Sequence, residues 1–254
     1  KDKSGFFSSF LVFDKFKRGN IGVISQSGMV NGGYFTHLTT KYPGLGFRYI
    51  ASVGNKMDIT ENEFLEYMIQ DDTVNVIAIY LESFDNPRRF IDLCKQAKKI
   101  PRKTIILVKG GITSEGQRAT LSHTGALSES ERLIKAVIQQ SGAIHANSFY
   151  ELFLYARTFS MMYSENKTLP TKGNLSIIVG SGGAGTILTD LIARDGLNLP
   201  ELSEEAYKEL VNIFPDWMPP NRFALVDIWP AMEKAMGNKS DPNIVIKTAY
   251  EAVL

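Results

Sequence analysis

From Asn20 onward the chain alternates short apolar runs with longer amphipathic segments, and no other feature constrains its fold as strongly. The runs "NIGVIS", "RYIASVG", "VNVIAIYLE", "KTIILVKGG" and "AIHAN" read as strands. Between them, "GMVNGGYFTHLTTKY", "DITENEFLEYMIQD", "NPRRFIDLCKQAKK" and "SERLIKAVIQQSG" have helical spacing. "SFYELFLYARTFSMMYS" closes the series as a long amphipathic helix. Thr60 stands as an N-cap, with Glu63 at capping-box spacing. Strands separated by helices of this length specify βαβ units on a parallel sheet covered on both faces.

The polar, Pro- and Gly-containing stretch "ENKTLPTKGN" interrupts the rhythm and reads as a linker. A second unit then opens as the first does, with a strand ("LSIIVG"), a glycine-rich turn ("SGGAG") and a helix ("TILTDLIARDG"), followed by "SEEAYKELVNIF". The expected fold class is therefore α/β, with two doubly wound parallel-sheet domains. Residues 1–19 are an arm or the remnant of an upstream domain. Residues 20–164 form the first domain, 165–172 the linker, and 173–254 a second domain expected to be incomplete. The chain starts without Met, which suggests a fragment of a longer protein.

Composition excludes several functions. With 44% apolar and 22% charged residues, the 254-residue chain has the make-up of a globular protein with a sizeable core. A net charge of +1 gives no electrostatic case for nucleic acid or an anionic membrane. The longest apolar runs are too short to span a bilayer, and no signal-peptide pattern opens the chain. The single cysteine, Cys94, forms no internal disulfide and reads as a small buried hydrophobe, so a reducing, cytoplasmic setting is expected.

In sheets of this kind ligands sit beyond the carboxyl ends of the strands, which directs attention to the strand-to-helix turns. Four stand out. Ser25, Gln26, Ser27 and Gly28 combine two hydroxyls with a helix N-terminus; they suit an anion, or are an ordinary capped turn. Gly180 to Gly185, through Ser181, Gly182, Gly183 and Ala184, formally match G-x-G-x-x-G, with Glu201 further on as a candidate ribose ligand. Dinucleotide binding and plain phosphate binding both remain open there. Glu82 ends an otherwise apolar strand, where a carboxylate either enters the crevice or meets solvent. His123 lies in "LSHTGAL", a small-residue loop ahead of a helix, between Ser122 and Thr124 and before Gly125. His37 and His145 lie in no ligand motif, and no metal is expected. Neutral imidazole is a good nucleophile near pH 7. A carboxylate on its other nitrogen and helix N-termini around a transferred phosphoryl group would complete a phosphohistidine site.

The stretches "GNIGVISQSGMVNGG", "ASVGNKMDIT", "IAIYLESFDNPRRFI", "ILVKGGITSEGQRATLSHTGAL" and "QQSGAIHANSFYELF" resemble, in order, the NDP-forming acyl-CoA synthetase family, which is related to succinyl-CoA synthetase. "IIVGSGGAGTILTDL" and "LSEEAYKEL" extend the likeness toward the end of the chain. The resemblance implies two flavodoxin-like (succinyl-CoA ligase-like) domains. It implies the reaction carboxylic acid + CoA + NTP ⇌ acyl-CoA + NDP + phosphate, through an acyl phosphate and a phosphohistidine. His123 would be that histidine and Glu82 the carboxylate that orients it. Ser25 to Gly28, Ser181 to Gly185, and Ser122, Thr124 and Gly125 would hold phosphate. The implied substrates are CoA, a small carboxylic acid or acyl phosphate, and NTP or NDP with Mg²⁺. The implied partners are a CoA-binding domain and an ATP-grasp domain or subunit, both expected outside this chain, and the oligomeric state is open.

Two departures from the family pattern stand out. Asn221 is not followed by Pro ahead of Val226 and Asp227. Gly111, Ile112 and Thr113 replace a more usual Gly-Arg, which leaves Arg118 as the nearby base. The rival reading is a non-catalytic CoA- or acyl-CoA-sensing regulatory module of the same fold, and retention of both His123 and Glu82 is the discriminating feature.

Overall fold

A computed structural model describes residues 17–31, 45–124, 129–165 and 173–253, with the side chains of His123 and Thr124 excepted. Residues 1–16 of the expected arm, His37, Gly125 and most of the expected linker lie outside the described residues, and Arg18 and Gly19 at the end of that arm already belong to the first strand. The chain divides into two compact units, Lys1–Thr168 and Leu169–Leu254.

The first unit is built on five parallel strands: β1 (Arg18–Ser25), β2 (Phe47–Ser52), β3 (Val76–Leu81), β4 (Thr104–Lys109) and β5 (Ile144–His145). Their order across the sheet is β2-β1-β3-β4-β5, so the winding direction reverses between β1 and β3. Side-chain alternation divides β1, β3 and β4 between two cores. From β3, Ile77, Ile79 and Leu81 face one side, where they pack with Leu65, Phe90, Leu93 and Val137 from three helices. Val76 and Ala78 face the other side, against Leu152, Phe153 and Ala156. Cys94 sits in the first of these cores, and burial pushes its thiol up to about 12.

Each of these helices starts where its local chemistry dictates. α1 (Glu61–Gln70) has the Thr60–Glu63 capping box. α2 (Pro87–Lys98) is capped by Asn86, carries Pro at its start and has Lys95 and Lys98 in its last turn. α3 (Ser114–Thr124) begins with the Gly116 and Gln117 backbone N–H groups bonded to the hydroxyl and carbonyl of Thr113. α4 (Glu131–Ser141) is capped by Ser130 and ends at Gly142, which adopts a left-handed φ of 66°. α5 (Phe149–Ser164) is capped by Ser148.

α3 corrects the sequence reading, which placed His123 in a loop. Its backbone is helical, one residue from the end of α3. Serines and threonines suggested a loop because they compete for backbone hydrogen bonds. Here Thr120 and Ser122 turn their hydroxyls back onto the helix carbonyls of Gly116 and Ala119, and the helix persists.

The amino-terminal edge of the sheet is fastened by polar side chains. The buried Lys103 ammonium donates to the carbonyls of Met68, Asp71 and Val74 and so closes the end of α1. The Asn20 amide donates to Asn75 and to the Ser160 carbonyl, tying β1 to α5.

The second unit opens with β6 (Ile177–Val179) and α6 (Gly182–Arg194). It continues through α7 (Glu204–Ile213), β7 (Leu225–Asp227), α8 (Trp229–Gly237) and α9 (Pro242–Val253). β6 and β7 pair in parallel. Leu210, Phe214, Val226, Ile228 and Ala231 form the centre of its core. Among the described residues, no helix is long and apolar enough to cross a membrane.

Candidate functional site

The reversal between β1 and β3 opens a crevice at the carboxyl ends of these strands, where doubly wound sheets bind ligands. Ser25, the last residue of β1, lies opposite Tyr80 of β3. Glu82 follows β3 directly and is half-buried, and its Oε1 accepts a 3.0 Å hydrogen bond from the Tyr80 hydroxyl. Burial, and then the Glu82 carboxylate, raises the Tyr80 phenol well above its ordinary value, so it remains a donor through the physiological range. Gly110, at the end of β4, stands beside both groups. A Cβ there would lie 3.1 Å from the Tyr80 hydroxyl and 3.6 Å from Glu82 Cγ.

The turn that carries Glu82 is held by side chains from its neighbours. Gln26 Oε1 accepts from the backbone N–H groups of Glu82 (2.8 Å) and Ser83 (3.1 Å). Glu129 Oε1 accepts from Phe84 N (3.0 Å) and Glu61 Oε1 from Asp85 N (2.8 Å). Lys109 Nζ donates to the Glu82 carbonyl at 2.7 Å, and Lys56 Nζ donates to that of Ser83. Two ion pairs complete the cradle: Lys56 with Glu61 at 2.8 Å and Lys109 with Glu129 at 3.5 Å. Burial lowers the pKa of Lys109, and the nearby Glu129 opposes that shift. Backbone groups bonded in this way have little freedom to reorganise.

The β1 turn divides its predicted residues between two tasks. The Ser25 hydroxyl is buried; it donates to the Ser27 carbonyl and accepts from Ser27 N. Gln26 is buried and reaches across to the Glu82 turn. Ser27 is half-buried, and Gly28 is exposed where a helical turn begins. His123 lies on the helix that leaves the sheet after Gly110, and the Ser122 hydroxyl is bonded within that helix. Gln117 on α3 donates to the Glu129 carbonyl at 2.8 Å, so the segment containing His123 is closed at both ends.

In the second unit Ser181 caps α6, accepting from Ala184 N at 3.5 Å. Gly185 is required by packing, because a Cβ there would meet Leu225 Cδ1 at 2.7 Å and Val179 Cγ2 at 3.2 Å. Around Gly180 the space is open, whereas a Cβ on Gly182 would lie 3.0 Å from Asp227 Oδ2. The Asp227 carboxylate therefore lies beside the first turn of α6, and nothing in that turn singles out the dinucleotide reading. Glu201, its proposed ribose ligand, lies in an isolated antiparallel bridge with Phe223. Among the described residues no group of three His, Cys, Asp or Glu side chains is gathered to hold a metal.

Sequence reasoning missed Lys109, Glu129, Lys56, Glu61 and Tyr80. The signal for Lys109 was present, since it ends the apolar run "TIILVK" as Glu82 ends "VIAIYLE".

Comparisons with known proteins agree with this architecture. Residues 18–159 match the succinyl-CoA ligase-like flavodoxin domain. The chain is 33% identical, over 99% of its length, to an ADP-forming acetate–CoA ligase II of Archaeoglobus fulgidus, of which it covers 35%. It is 32% identical, over 79% of its length, to an ADP-forming 4-hydroxybutyrate–CoA ligase of Nitrosopumilus maritimus, of which it covers 28%. The chain thus spans about a third of the length of these curated relatives. Among solved structures, a dinucleotide forming acetyl-coenzyme A synthetase 1 of Candidatus Korarchaeum cryptofilum, in complex with phosphate and ADP, superposes with a TM-score of 0.74 at 27% identity. That match covers 94% of this chain and 55% of the other.

Proposed function

Because this chain belongs to the succinyl-CoA ligase-like flavodoxin-domain family, we propose that it is the phosphohistidine-bearing part of an NDP-forming acyl-CoA synthetase. The whole protein would be an acid–thiol ligase that interconverts carboxylic acid, CoA and NTP with acyl-CoA, NDP and phosphate. An imidazole nitrogen of His123 forms an N–P bond to the acyl phosphate as the P–O bond to the acyl group breaks and the carboxylate leaves. The N–P bond then breaks as the phosphoryl group passes to NDP, and both steps run in reverse. Glu82 accepts the proton of the other imidazole nitrogen in a hydrogen bond and steadies the positive charge that builds on the ring. Ser27 and Gly28 supply N–H and hydroxyl donors to the phosphoryl oxygens, and Ser181 to Gly185 form the phosphate-binding turn of the second unit. Ser25 and Gln26 shape the first of those turns, and Ser122, Thr124 and Gly125 flank the histidine. The CoA-binding and ATP-grasp parts belong to other domains or subunits, and Mg²⁺ accompanies the nucleotide there.

One observation carries this reading: the Glu82 carboxylate stands at the reversal of the sheet, on a turn whose backbone is hydrogen-bonded by Gln26, Glu129, Glu61, Lys109 and Lys56, beside the strand end from which the His123 helix departs. Catalysis by positioning needs a carboxylate that does not move. Incubating the protein with acetyl phosphate, and with an ATP-grasp partner and ATP, tests the proposal. We expect acid-labile phosphate on His123 by mass spectrometry at neutral pH and none in His123→Ala. No phosphate even with a competent partner would favour the non-catalytic sensor instead.

A further inference from the structure

We propose that Lys109 and Glu129 are positioning residues that hold the Glu82 turn and the His123-bearing segment in one fixed relation. The inference rests on the phosphohistidine reading above.

Lys109 has a side chain 1% exposed, with its ammonium under the ring of Phe84 at 5.6 Å from the centroid. It donates to the carbonyls of Glu82 and Gly110, both at 2.7 Å, and so joins the end of β3 to the turn that leads into α3. Its counter-ion Glu129 is 15% exposed and lies beyond His123 in the chain. One carboxylate oxygen of Glu129 faces Lys109, and the other accepts from Phe84 N, two residues past Glu82. The backbone carbonyl of Glu129 accepts from Gln117, which precedes His123 on α3. A single buried ion pair therefore connects the carboxylate turn, the start of α3 and the chain beyond the histidine. Lys56 with Glu61 performs the same service on the far side of the turn, with no bond to the histidine segment among the described residues.

A buried pair of this kind is a poor source of stability, since apolar residues of like size often serve as well. What apolar residues cannot do is bond the Glu82 carbonyl and the Phe84 amide. The double variant Lys109→Met/Glu129→Met separates these roles in the full-length protein that carries this chain. We expect a folded variant with a lowered urea midpoint and an unchanged m-value, amide exchange at Glu82–Asp85 accelerated about tenfold or more, and His123 phosphorylation by acetyl phosphate slowed about ten- to a hundred-fold. The acetyl phosphate concentration at half-maximal rate should not change. Glu129→Gln keeps the acceptor for Phe84 N and should recover most of the rate. Gln117→Met, on the half-buried side of α3, cuts the clasp without touching the buried pair and should slow the same step about fivefold.

Wild-type phosphorylation rates in the double variant, or in the Gln117→Met variant if the double variant does not fold, overturn the proposal. So does unchanged amide exchange. If wild-type protein itself acquires no phosphate on His123, the phosphohistidine reading has failed first, and that failure is recognisable because it needs no substitution.

Discussion

Gln26 and Glu82, at the ends of neighbouring strands, meet through the backbone: the Gln26 carboxamide oxygen accepts the Glu82 N–H at 2.8 Å and the Ser83 N–H at 3.1 Å. Gln26→Ala leaves both donors without this acceptor. An unsatisfied buried donor costs about 1–3 kcal/mol, so the urea midpoint should fall with an unchanged m-value. Gln26→Glu retains the acceptor and should lose less.

Tyr80 supplies the Glu82 carboxylate with a hydrogen bond, while its ring packs edge-on to Phe149 at 4.9 Å. Tyr80→Phe keeps the ring contact and removes the donor. Stability should change by no more than about 1 kcal/mol. Under the proposed function, the rate of His123 phosphorylation should drop about tenfold as the carboxylate loses one of its restraints. Rapid-quench measurement with acetyl phosphate reads this directly.

The capping box of α1 predicts an acid sensitivity. The Thr60 hydroxyl, then its backbone N–H and the Arg89 guanidinium, hold the Glu63 carboxyl at about 2, against an ordinary value of 4.5. A lowered folded-state pKa contributes stability that is fully present above the unfolded value and is lost as pH falls through the folded one. The contribution should therefore fade between about pH 4.5 and pH 2. Thr60→Val removes the cap, costs about 1 kcal/mol at neutral pH and should flatten that part of the curve. Urea titrations across this range would show it.

Gly185 and Gly180 begin and end near the same turn but should respond differently to alanine. Gly185→Ala forces a Cβ to within 2.7 Å of Leu225 Cδ1 and should cost about 1–3 kcal/mol. Gly180→Ala enters open space and should stay within about 0.5 kcal/mol. Both tryptophans, Trp217 and Trp229, lie in the second unit, so their fluorescence reports this transition without a signal from the first.

Much of the first unit was legible in the sequence because its signals are local. The apolar runs became strands, "TENE" became a capping box and Glu82 fell at a strand end. α3 was misread because Ser122 and Thr120 carry loop preferences that the helix carbonyls absorb. The Lys109–Glu129 pair was not legible for a different reason. Its members are separated by a whole helix, and their contact follows from where the chain ahead of α4 returns to the end of β4. Gln26 looked like an anion ligand because a polar residue in a strand-to-helix turn is ambiguous until the neighbouring turn is in place.

The side chains that fasten the sheet at its amino-terminal edge, Lys103 across three carbonyls and Asn20 across to Ser160, lie at the opposite ends of the strands from Glu82 and Gly110. Endurance and chemistry can therefore drift separately: reinforcing the first edge leaves the crevice end of the strands as it was, and recasting the crevice end leaves the first fastening in place.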